Sequence, residues 1–121
     1  PMSVVYHTHY LDFFEMARTE AMRDLGLAYR ALEDDGIIMP VVNATVQYHA
    51  PAYYDDWLAI DARFSSMPTV RIPIDYAVRR PADDTRIATG HTTLCFMDAE
   101  ARRPIRLPQQ VREAFAPVLA S

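Results

Sequence analysis

Two hydrophobic rhythms divide the chain. Between Tyr10 and Leu25 the apolar residues return every three or four positions, at Tyr10, Phe13, Phe14, Ala17, Ala21 and Leu25. That period gathers them on one stripe of an α-helix. Asp12, Glu15, Thr19 and Arg23 fall on other faces, and Gly26 stands where a C-cap is needed. Sixteen residues make a helix of about 24 Å, long enough to cross a small sheet. A second, short helical turn is predicted over Tyr29 to Asp35, ending at Gly36.

From Val41 onward the period falls to two. Val42, Ala44, Val46, Tyr48 and Ala50 alternate with Asn43, Thr45, Gln47 and His49 over Val41 to Pro51. A second alternating run covers Trp57 to Ser65, and a third covers Thr69 to Arg79 with Ile72, Ile74, Tyr76 and Val78 on one face. A fourth strand, less cleanly alternating, spans Thr85 to Met97. Alternation of this kind marks strands with one wet face. Met67-Pro68 and the run Arg80 to Asp84 are short and turn-like, so neighbouring strands are expected to pair antiparallel. Pro73 cannot donate to a ladder and marks an edge, a bulge or an unpaired position. Gly90 inside the last strand marks a bulge or a close approach by another backbone or a ligand. Pro108 is placed to start a final helix running to about Leu119. One long helix followed by an antiparallel meander of about five strands makes a two-layer α+β domain, with the aromatic helix stripe enclosed by the sheet.

Length and composition narrow the function. At 121 residues the chain holds one domain, and 50% hydrophobic with 23% charged residues is ordinary globular composition. Twelve Lys+Arg against sixteen Asp+Glu give a formal charge of −4, and the cations are scattered. That excludes broad nucleic-acid binding, which needs a basic footprint. The single cysteine, Cys95, rules out an internal disulfide and fits a reducing compartment. With no apolar run of spanning length, no membrane partner and a soluble, cytoplasmic protein are expected.

Motifs for the commoner chemistries are missing. His7 and His9 have no HExxH or CxxC partner, so no metal is expected. Cys95 sits between Leu94 and Phe96 in a strand, where a thiol acts as a small hydrophobe. No GxSxG, GxGxxG or GxxxxGK[ST] occurs. The doublets Asp34-Asp35, Asp55-Asp56 and Asp83-Asp84 fall in turns, where solvated carboxylates are the ordinary reading. Glu15 and Arg18 are spaced to pair along the helix. Tyr53, Tyr54 and Trp57 flank a turn and suit either core packing or a pocket wall. The most informative stretch precedes the long helix. Val4-Val5-Tyr6-His7 runs straight into the helix start, where backbone N–H groups lack partners and face the positive end of the dipole. Such amides polarise carbonyl oxygens.

The run from Val4 to Arg18 resembles the pattern D-x-D-x-x-G-V-V-Y-H-x-x-Y-x-x-F-F-E-x-A-R of the 4-hydroxybenzoyl-CoA thioesterase family. Tyr48-His49-Ala50-Pro51-Ala52, Asp56, Ala88-Thr89-Gly90 and Leu107-Pro108 extend the resemblance along the whole chain. The resemblance implies a hotdog fold, a long central helix wrapped by a curled antiparallel sheet. It implies hydrolysis of an acyl-CoA thioester without metal or cofactor, by dimers or tetramers whose sites lie between protomers. It gives His7 a catalytic role through its backbone amide, which holds the thioester oxygen. Tyr10, Phe14, His49 and Pro51 become substrate-binding residues, and Arg79, Arg80 and Arg86 become candidates for the CoA phosphates. Ser3 replaces the pattern's glycine. The pattern's catalytic Asp falls immediately before Pro1, and the family's first strand lies further upstream, so the natural protein is expected to extend beyond Pro1. Against thioester hydrolysis stands a non-catalytic hotdog protein that binds acyl-CoA or acyl-carrier protein. A hotdog dehydratase lacks a convincing Asp/His pair here.

Overall fold

The computed structural model describes residues 7–27, 29–53, 55–64 and 68–119, with the backbone alone at 7–9, 29, 118 and 119. The sequence stretch Val4 to Tyr6, Tyr54 and the turn at Met67 lie outside the described residues. Helix α1 spans His7–Asp24, three residues earlier than its apolar stripe alone predicts. Its end follows from Gly26, at φ 83°. The Gly26 N–H donates to the Arg23 carbonyl at 2.9 Å and the Leu27 N–H to the Met22 carbonyl at 2.9 Å. This is the paired closure that a left-handed residue after a helix allows, and both Met22 and Leu27 are buried beside it. A short helix α2 covers Tyr29–Asp34.

Six strands follow: β1 (Ile37–Ile38), β2 (Val41–Tyr48), β3 (Ala59–Arg63), β4 (Arg71–Arg80), β5 (Thr85–Cys95) and β6 (Met97–Asp98). Helix α3, Gln109–Leu119, closes the chain. Pro108 lies just ahead of it, and its carbonyl accepts from Val111 and Arg112 at 3.0 Å each. The main sheet runs β2-β5-β4-β3, all antiparallel, and β1 pairs with β6 in a separate two-stranded ribbon. The meander expected from short connections holds for β3, β4 and β5. It fails for β2, which crosses over to pair with β5 instead of its sequence neighbour β3. The ten residues between β2 and β3 supply the length for that crossing. Pro73 sits on β4 two residues beyond the point where β3 ends opposite Asp75, so β4 has no described neighbour on that side. No helix among the described residues is long and apolar enough to cross a membrane.

The seat of α1 on the sheet is set by one contact. Phe14, fully buried, lies over Gly90 of β5 and stacks on Tyr76 of β4, ring centroids 4.4 Å apart and planes 13° from parallel. Tyr76 and Gly90 are directly opposite each other in the register. A Cβ at position 90 would overlap Cε2 and Cζ of Phe14, so Gly90 is a close approach, made by a side chain and not by the backbone or ligand expected from the sequence. Around this contact pack Met22, Ile72, Ile74, Val78, Ile87, Ala88 and Leu94. At the far side Phe64 meets Phe115 of α3 edge to face at 4.9 Å.

Arg18 departs from the expected pairing with Glu15. It is buried, 7% exposed, and its Nη1 donates to the Tyr76 hydroxyl at 3.3 Å. Tyr76 in turn shares a hydrogen bond of 2.8 Å with the Thr92 hydroxyl. The guanidinium follows the stripe of Phe14 and Met22, four positions either way, and goes under the helix rather than along its surface.

Replacing Gly90 with Ala is expected to cost about 1–3 kcal/mol of stability through overpacking. The pair Phe14→Leu and Gly90→Ala together should cost less than the sum of the two single changes, as contacting residues do. Chemical denaturation of the four proteins checks this, and strict additivity would contradict the contact.

Candidate active site

Of the expected site residues, His7 and Tyr10 lie in the first turn of α1, and Tyr10 meets Tyr48, the residue before His49. The helix starts at His7, so the His7 N–H is one of the amides with no partner inside the helix. The helix dipole leaves this end partly positive, and no acidic residue occupies the first turn to neutralise it. The side chains of His7 and His9 lie outside the described residues.

Tyr10, one turn on, is 2% exposed. Its ring meets Phe13 edge-on at 5.9 Å and Tyr48 at 5.6 Å with a 58° tilt. Burial first, then electrostatic interaction with Tyr48 and Asp56, push the Tyr10 phenol above its ordinary pKa. Tyr48 ends β2 half exposed, so the two rings form a wall that opens toward solvent. His49 follows directly. Its backbone N–H donates to the Ile87 carbonyl at 2.9 Å, and Ala50 donates to the same carbonyl at 3.2 Å. The His49 ring nitrogen Nε2 lies 3.0 Å from the Thr89 hydroxyl. Backbone bonds thus fix the path of the segment that carries His49 and Pro51 past the mouth of the aromatic wall.

Two of the expected assignments change. Phe14 is wholly enclosed between Gly90 and Tyr76, so it seats the helix instead of lining an open surface. Arg80, a candidate for CoA phosphates, is held by carboxylates. Its Nη1 donates to Asp56 Oδ2 at 2.8 Å, and Nε and Nη2 fork onto Asp83 Oδ1 and Oδ2 at 3.0 and 3.1 Å. Asp56 Oδ2 also accepts the Tyr53 N–H at 2.8 Å. The doublets at 55–56 and 83–84 are therefore not simply solvated turn residues. Arg79 and Arg86 keep their candidacy. They stand directly opposite each other on β4 and β5, both exposed, with no acidic partner among the described residues. Like charges placed so repel, which an anion would relieve. Trp57, read as core or pocket wall, is 87% exposed and packs in neither.

Other clusters are less suited to carbonyl chemistry. On the sheet face away from α1 runs an open groove of about 590 Å³ along Thr45, Gln47, Asp75, Thr89 and His91. There His91 Nδ1–H donates to Asp75 Oδ1 at 2.8 Å, and the Thr93 hydroxyl meets Nε2 at 3.1 Å. Both ring nitrogens are hydrogen-bonded. A smaller cavity of about 190 Å³ lies between Glu15, Arg18, Glu33 and Met39, with buried Arg18 at its wall. No cluster of three His, Cys, Asp or Glu side chains that would hold a metal occurs among the described residues. Cys95 is buried, as its strand position led us to expect.

The Arg80 cluster predicts an acid response. The hydrogen bond from Arg80, followed by that from Thr85, lowers the Asp83 pKa to about 2, and the Tyr53 amide followed by Arg80 lowers that of Asp56. A carboxylate with a depressed pKa stabilises the fold above its unfolded value near 4, and that contribution is lost as pH falls through the folded value. The wild-type melting midpoint should therefore fall more steeply between about pH 4 and pH 2 than that of an Arg80→Gln variant. Parallel slopes would contradict the assignment. The cluster is at the surface, so water limits its size.

Comparison with known proteins places this geometry in a family. The Thioesterase-like superfamily matches residues 1–115. The putative acyl-CoA thioesterase YneP of Bacillus subtilis is 30% identical over 114 residues, which cover 94% of this chain and 79% of that protein. The acyl-CoA thioester hydrolase YbgC of Escherichia coli is 30% identical over 112 residues, covering 93% and 83%. Among solved structures, a DHNA-CoA thioesterase from Staphylococcus aureus superposes with a TM-score of 0.89 at 28% identity, covering 97% of this chain and 80% of that one. A helix seated in a curled antiparallel sheet, with its first turn beside an aromatic wall, is thus the hotdog architecture, and the chain belongs to the Thioesterase-like superfamily.

Proposed function

We propose that this protein hydrolyses acyl-CoA thioesters to free acid and CoA, with the start of α1 as the centre that polarises the thioester. Family membership carries the activity. The start of α1 at His7 supports this reading, since an amide without a partner inside the helix would face the developing oxyanion at the positive end of the dipole. Tyr10 and Tyr48 would hold the acyl group against that amide, and His49 and Pro51 would border its entry. Water attack needs a base, and Asp56 is unsuited to it. One of its oxygens is taken by Tyr53 and Arg80, and its pKa is depressed. The resemblance assigns that base to a carboxylate directly ahead of Pro1. Arg79 and Arg86 form the paired cationic spot for the phosphates of CoA. A cytoplasmic location fits the lone, buried Cys95 and a CoA substrate.

The working unit we infer is a homodimer or a pair of dimers. Among the described residues, strand β2 lies at the edge of the main sheet, bonded on one side only, to β5. The sequence pattern gave it one buried face, yet Val42, Ala44 and Tyr48 are exposed along with Asn43 and Thr45. An eight-residue open edge with apolar residues is what a two-fold partner strand covers. Light scattering of the full-length protein should give at least twice the monomer mass. A monomer across micromolar concentrations would contradict this.

Thiol release from short, long and aromatic acyl-CoAs by the full-length protein tests the activity, and tight binding without turnover would replace it with the non-catalytic alternative. Because the His7 amide does the work in this account, His7→Ala should lower kcat by less than about tenfold. A fall of three orders of magnitude would move the chemistry to the imidazole.

A further inference from the structure

The Arg80 cluster joins two parts of the chain that sequence separates. The loop from His49 to Leu58 leaves β2 and returns to β3. Its near end is pinned to Ile87 by the amides of His49 and Ala50. Ala52 anchors its middle in the core, and its far end is tied through Arg80, which takes Asp56 at 2.8 Å and the Pro51 carbonyl at 3.3 Å while its other nitrogens hold Asp83. Asp83 is itself fixed in the β4–β5 turn, where its Oδ1 accepts the Thr85 N–H at 3.2 Å. All three guanidinium nitrogens are engaged. Two carboxylates outweigh one guanidinium, so the cluster is net negative and repels a phosphate. By contrast, the neighbouring Arg79 and Arg86 have no carboxylate to displace among the described residues.

We propose that Arg80 is a positioning residue: by clasping Asp56, the Pro51 carbonyl and Asp83 it fixes the loop that carries His49 and Pro51 beside Tyr10, and so holds one wall of the acyl site. Tyr48, the residue that leads into this loop, meets the Tyr10 ring at 5.6 Å, which sets the loop at the edge of that site. Arg80 then acts on the reacting end of the substrate, whereas a phosphate ligand acts on the distant nucleotide end. This role presupposes thioester hydrolysis at α1.

The two ends are separated by comparing an acyl-CoA with the N-acetylcysteamine thioester of the same acyl group, which has no phosphate. Arg80→Gln and the isosteric Asp56→Asn should each lower kcat/KM by about tenfold or more, and by the same factor on both esters. Arg80→Lys, which retains one ion pair and loses the fork, should fall between Gln and wild type. Arg79→Gln with Arg86→Gln should weaken only the CoA ester. Melting curves identify any variant that fails to fold, and if Arg80→Gln does, Asp56→Asn carries the test. A loss confined to the CoA ester makes Arg80 a phosphate ligand and overturns the proposal, as do wild-type rates on both esters. A wild-type protein inert toward both esters would instead overturn the thioesterase reading itself.

Discussion

Everything at the functional end of this molecule depends on how close α1 comes to the sheet at Gly90. A helix normally rides on a layer of side chains from the strands beneath it. Here Phe14 drops into the space that a side chain at position 90 would occupy, and its ring finds Tyr76 as a stacking partner. The helix cannot slide along its axis without driving Phe14 into a neighbouring side chain. Buried Arg18 adds a polar anchor one turn further on, through Tyr76 and Thr92. Removal of Tyr76 would take from buried Thr92 the hydrogen bond it shares with the Tyr76 hydroxyl, which costs more than the hydrogen bond is worth. With the helix fixed in register, its first turn and Tyr10 are delivered to one place beside Tyr48.

That precision matters for the proposed mechanism because amide catalysis has no adjustable part. A backbone N–H cannot change rotamer to follow a substrate. It works only if the helix start, the aromatic wall and the loop bearing His49 are all set beforehand. The core contact sets the first two. The surface cluster of Arg80 with Asp56 and Asp83 bears on the third, so a buried stack and an exposed ion-pair cluster serve one end of the fold by different physics.

Much of this was legible in the amino-acid order. The helix stripe, the alternation of β4 and the cap at Gly26 are local, and local periodicity reports them. Gly90 was legible as a close approach because a glycine inside a strand has few other uses, although its partner Phe14 was not. Long-range facts escaped. Nothing in the residues of β2 says that it pairs with β5 and not β3, since both offer alternating partners. Its apolar face looked buried because alternation shows which side is apolar, not whether one chain suffices to cover it. Asp56 and Asp83 lie twenty-seven positions apart in two turns, and only the fold shows that Arg80 stands between them. Trp57 misled because an indole next to a strand usually packs inward.

The central claim is that substrate meets the protein at the start of α1, where the core contact delivers it. Backbone amide chemical shifts of the full-length protein, titrated with a non-hydrolysable thioether analogue of an acyl-CoA, test this most directly. The account predicts the largest changes at His7, Tyr10, Tyr48 and His49. Changes confined to the opposite sheet face, at Thr45, Asp75 and His91, would contradict it.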